Sequence, residues 1–101
     1  MNATVETSFM APYHQLNKKA VFSSTSRYHT FVNWISGEFD LYLQDESNGL
    51  HVYFPEGKFH IKSEVDNGNI IAEINLQSKI QENGQLIFNK IMSVYTLLIK
   101  N

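Results

Sequence analysis

Five glycine-centred reversal signals punctuate the chain from residue 28 onward: Ser36-Gly37, Asn48-Gly49, Glu56-Gly57, Asn67-Gly68 and Asn83-Gly84. Three are Asn-Gly, the pair that best tolerates the positive φ required at both centres of a type I′ hairpin turn. Between them apolar and polar residues alternate, most clearly on either side of Pro55-Glu56-Gly57, where Leu50, Val52, Phe54, Phe59 and Ile61 interleave with His51, Tyr53, Lys58, His60 and Lys62. A period of two with one apolar side describes strands with one buried and one wet face. The pattern predicts strands near 28–35, 38–44, 50–54, 58–65 and 70–81, each pairing with the next. The fold class this implies is all-β, an antiparallel meander forming a small barrel or sandwich. The alternative is α+β, a five-stranded antiparallel sheet covered by a C-terminal helix.

Two-residue loops fix a register, and a slip of one residue would turn every side chain over. Around Asn67-Gly68 the expected pairs are Val65 with Ile70, Ile61 with Ile74 and Phe59 with Leu76 on an apolar face. Lys62 with Glu73 and His60 with Asn75 pair on the reverse. Around Glu56-Gly57, Phe54 is expected opposite Phe59 and Val52 opposite Ile61, with Tyr53 by His60 and His51 by Lys62. Around Ser36-Gly37, Trp34 is set against Phe39 and Val32 against Leu41.

The two ends are less regular. Val5, Phe9, Met10, Tyr13 and Leu16 recur at roughly helical spacing, but Pro12 interrupts them, so residues 1–27 are read as an N-terminal arm or short helix. Residues 28–82 form the meander. Residues 83–101 are a strand or a helix covering the sheet. As a strand after Asn83-Gly84 the segment pairs Ile80 with Ile87; as a helix it shows a polar stripe at Asn89, Ser93, Thr96 and Lys100. The strand is preferred on the Asn-Gly signal. With 101 residues, 43% apolar and 13% aromatic, the chain is one domain with enough apolar surface for a core.

The wet face gathers the side chains that can recognise something. The register lines up His29, Gln44, Tyr53, His60 and Asn75 in one row, with Phe31, Tyr42 and His51 beside it. His51 and His60 are diagonal neighbours about 7 Å apart, whereas His29 and His60 are about 14 Å apart, too far to share a metal. No third ligand is evident, so no metal, cofactor or catalytic residue is assigned. Phe31, Tyr42, His51, Tyr53 and His60 are the candidate binding residues. A formal charge of −2 supplies no field for a phosphate backbone, and no nucleic-acid or membrane partner is expected. The chain has no cysteine, which removes disulfides, thiolate metal sites and a thiol nucleophile. No secretory leader is legible in the first residues, and a soluble, cytoplasmic protein is expected.

Gly49, Pro55, Gly57 and His60 stand at the spacing of the second cupin motif, G-x5-P-x-G-x2-H-x3-N, with Glu64 in place of its Asn. Over these sixteen residues the chain resembles the cupins. That family of small β-barrels includes metal-dependent enzymes and non-catalytic binding proteins. The resemblance implies His60 as a metal ligand. The first cupin motif is not found: no His-x-His precedes Gly37, Thr30 stands where the acidic ligand would be, and Pro-x-Gly is ordinary turn chemistry.

The nucleophile elbow, phosphate loops, zinc-protease motif and calcium loop are all missing from the sequence. The functional expectation is a small binding or interaction module presenting its polar-aromatic sheet face to a protein partner or to itself as a homodimer. The alternative is a cupin-like small-molecule-binding protein or metal-dependent enzyme using His51 and His60.

Overall fold

The computed structural model describes residues 5–100; residues 1–4 of the expected arm and residue 101 lie outside them. In chain order the elements are β1 (Glu6–Met10), β2 (Tyr13–Phe22), α1 (Thr25–Glu38), β3 (Leu43–Asp45), β4 (Leu50–Phe54), β5 (Gly57–Asp66), β6 (Asn69–Ser78) and α2 (Gln81–Lys100). The strands make one antiparallel sheet in the order β1-β2-β6-β5-β4-β3. The fold is therefore α+β, with a helix between strands and a second at the C-terminus. The all-β barrel or sandwich is not observed, and with β1 and β3 at its two edges the sheet stays open.

The hairpin at Asn67-Gly68 forms as its sequence dictates. Asn67 and Gly68 take φ of 52° and 82°, and all five expected pairs across it are present. At the preceding hairpin the two loop residues are Pro55 and Glu56, the latter at φ 68°, so the register sits two residues from the expected one. Val52 meets Phe59 and His51 meets His60. A shift of two leaves every side chain on its expected face.

Residues 28–35 are helix, not strand, and the pairing of Trp34 with Phe39 across Ser36-Gly37 does not exist. Ser24 caps the helix, its side chain accepting the Arg27 N–H at 3.2 Å. Tyr28, Phe31 and Ile35 then fall on one buried stripe. In a strand Tyr28 would point away from the other two. Ser36-Gly37 sits in the last turn of α1, which closes with the Phe39 N–H donating to the Ile35 carbonyl. Residues 38–44 give only the short β3.

The C-terminal segment is likewise helical, and the expected strand pairing of Ile80 with Ile87 is absent. Buried Ser78 accepts the Ile80 N–H and donates to its carbonyl, so β6 turns directly into α2. Gly84 lies in the first turn because the helix touches the sheet there. A Cβ at this position would stand 2.8 Å from Ser78 Cβ and 3.1 Å from Leu76 Cδ2. Close approach, rather than a reversal, is what this Asn-Gly serves.

Where an N-terminal arm or short helix is expected, the chain forms the β1–β2 hairpin, turning at Ala11-Pro12. Both helices lie on one face of the sheet. Phe31, Ile35, Phe88, Ile91 and Leu98 pack there against Ala20, Phe22, Val52, Phe59, Ile61, Ile74 and Leu76. Phe22, Tyr28, Phe31 and Tyr95 form an aromatic cluster at one end, where the Tyr95 hydroxyl donates to the Val21 carbonyl. Arg27 donates to the Leu98 carbonyl, joining the start of α1 to the end of α2.

Candidate recognition face

Helices cover one side of the sheet and leave the other bare. On the bare side, pairing across all six strands aligns Glu6, Asn17, Asn75, His60, His51 and Asp45 in one rank. Ser8, Gln15, Gln77, Lys58, Tyr53 and Leu43 form the next. A carboxylate closes each end of the first rank, and its centre is two amides and two imidazoles.

The imidazoles are directly opposite each other rather than diagonal, with ring centroids 5.3 Å apart and planes inclined by 32°. His51 Nε2 lies 2.9 Å from the Asn48 carbonyl, which can only accept, so that nitrogen carries a proton. His60 Nε2 lies 3.1 Å from Asn75 Nδ2 and accepts from it, leaving the proton of neutral His60 on Nδ1. Burial, and then the neighbouring charge of His51, lowers the His60 pKa below its usual 6.5; Lys62 and Lys58 act the same way, and Glu73 opposes them. His60 is thus a neutral donor–acceptor at pH 7, not a cation. At the far end Asp45 accepts from the Ser47 N–H at 2.9 Å, a bond that lowers its pKa.

Between the central strands the face dips into a depression of about 230 Å³ walled by Gln15, Asn17, Lys58, His60, Asn75 and Gln77. A second hollow of about 280 Å³ adjoins it at Asn17 and Asn75 and reaches Glu6, Lys19 and Glu73. Among the described residues no group of three or more histidines, cysteines or carboxylates is placed to hold a metal ion.

Of the candidate residues read from the sequence, His51, Tyr53 and His60 are on this face and share it with Asn75. Phe31 is not: it lies on the buried stripe of α1, completely buried in the core between helix and sheet. Tyr42 is not either, lying beyond the end of α1 with its ring stacked on Phe39 at 6.0 Å. His29 is on the exposed side of α1. Gln44 turns to the helix side, where it donates to the Ser36 and Phe39 carbonyls. Gln15 and Asn17 were hidden because Pro12 and the spacing of Phe9, Tyr13 and Leu16 resemble a helix. The period of two in Leu16, Ala20 and Phe22 was the available signal, broken only by Lys18.

No family model matches the chain, and no curated protein matches it in sequence. The fold does have a solved neighbour. The crystal structure of CalU16 from Micromonospora echinospora superposes with a TM-score of 0.52 at 5% identity, over 97% of this chain and 85% of that one. At that identity the likeness is one of fold alone. The open sheet with two helices on one face is not the barrel that the cupin resemblance implies. Among the described residues no helix is long and apolar enough to cross a membrane.

Proposed function

We propose that this protein is a non-catalytic recognition module that binds another protein through the bare face of its sheet. One observation carries the reading. The centre of that face is a rank of half-buried hydrogen-bonding groups with no carboxylate or lysine among them: Asn17, Asn75, His60 and His51. The amides and the neutral imidazole of His60 each donate and accept, so they match the mixed donors and acceptors of a protein surface without the desolvation cost of burying charge. Charges of both signs, Lys19, Glu73 and Lys62, alternate on the flanking rank and favour a partner of mixed charge over a polyanion. The breadth of the face, which runs across six strands, suits a protein better than an enclosed small molecule.

The reading is tested with a photo-crosslinking amino acid placed at Gln77, on the face, and separately at Asn33, on α1, in cells of the native source. A discrete adduct is expected from position 77 alone, and it is expected to disappear when His60→Ala and Asn75→Ala are combined. Adducts of equal yield from both positions, or none from position 77, overturn the proposal.

A further inference from the structure

We infer that β1 is a pairing edge for a second copy of this chain, so that two sheets continue into one. The two edges of the sheet differ in kind. β3 has three residues and ends in a turn held by Asp45, which is how an edge is kept from pairing. β1 has five residues, all exposed, in unbroken register with β2 and with no proline, lysine or bulge in the strand. Phe9 and Met10 are 60% and 65% exposed on it, and Phe9 is held in place by His14, ring centroids 4.8 Å apart. An exposed edge with no proline, lysine or bulge to break it is a template for another strand.

The register says which backbone groups are free to do this. A two-residue loop closes on a hydrogen-bonded pair, here Met10 with Tyr13, and such pairs alternate along an antiparallel ladder. Ser8 with Gln15 and Glu6 with Asn17 are then the other bonded pairs, and the N–H and C=O groups of Thr7 and Phe9 point outward from the sheet.

A second copy fits this edge because the strand is complementary to itself. Antiparallel pairing about a twofold axis at Ser8 sets Thr7 opposite Phe9 of the second copy, a β-branched residue against an aromatic one on the helix side. Glu6 falls opposite Met10 of the second copy, so no like charges meet. Both outward pairs are bonded in this register. The bare faces of the two sheets then become one surface with the Glu6 ends of the polar ranks at its middle.

The test is the mass in solution, by light scattering at sub-millimolar concentration, of wild type and Thr7→Pro. Proline at position 7 removes an outward N–H and none of those bonded to β2, so the hairpin is kept and the edge is blocked. Wild type is expected at twice the 11.6 kDa of the chain, and Thr7→Pro at the monomer mass of 11.6 kDa with a cooperative melting transition retained. A wild type that stays monomeric, or a Thr7→Pro variant that still dimerises, overturns the inference. Should the variant not fold, amide exchange on wild type decides. Slow exchange at Thr7 and Phe9 that is lost on dilution supports the edge, and exchange at both that ignores concentration refutes it. This outcome is separate from the crosslinking result, which reads the face and not the edge.

Discussion

His60 is where stability and recognition meet in one side chain. Its pKa is lowered in the fold by burial and by the charge of His51, with Lys62 and Lys58 adding to the effect and Glu73 opposing it. The unfolded chain therefore takes up this proton more readily than the folded one. Stability is full above the usual imidazole value of 6.5 and falls as pH drops through that value toward the lower one of the folded state. His60→Gln keeps an acceptor for Asn75 and removes the titration. Urea denaturation of both proteins between about pH 8 and pH 5 checks this: the wild-type loss on acidification is expected to exceed the variant's. Parallel curves would mean that His60 protonates freely in the fold. A recognition face that uses neutral His60 is expected to weaken over the same range.

At the scale of the element, the two helical glycines make opposite predictions. A Cβ at Gly37 meets nothing within 4 Å, so Gly37→Ala is expected to stabilise the protein by about 0.5 to 1 kcal/mol through helix propensity. At Gly84 the added Cβ collides with Ser78 and Leu76, and Gly84→Ala is expected to cost about 1 to 3 kcal/mol. Thermal or urea unfolding of the pair measures both, and equal effects would refute the close seating of α2 on β6. The same two glycines explain what the sequence made legible. Asn67-Gly68 reads correctly because its meaning is local: positive φ at adjacent residues, whatever surrounds them. Ser36-Gly37 and Asn83-Gly84 look like the same kind of reversal, but the roles of their glycines are a helix's last turn and a helix–sheet contact, which only the packed fold defines. The β-branched and aromatic run from Tyr28 to Ile35 satisfies a strand as well as a helix, and the deciding signal was the Ser24 cap. Faces within β4, β5 and β6 were legible because alternation survives a two-residue slip. The amides of β2 were not, since their strand was masked by Pro12.

For the whole molecule, the decisive division is between a sheet face sealed by helices and one left open. The sealed side depends on α2, which places Phe88, Ile91, Val94 and Leu98 against the sheet and α1, each of them buried. Without it Leu76, Ile74 and Phe31, now at most 1% exposed, lose their cover. Aliphatic and aromatic side chains of this size contribute about 1.5 to 3 kcal/mol each on burial, and the stability of a domain this small is only about 5 to 15 kcal/mol. A chain ending at Gly84 is therefore expected to be unfolded, with a collapsed or coil-like circular dichroism spectrum and amide proton shifts crowded into the random-coil range. The open side provides no substitute, because its polar ranks cannot form a dry core. A truncated chain that remains a monomer with a cooperative melting transition would show that β1–β6 and α1 are self-sufficient. In that case α2 would be a detachable cover, and the face beneath it, rather than the His60 face, would become the surface to probe for partners.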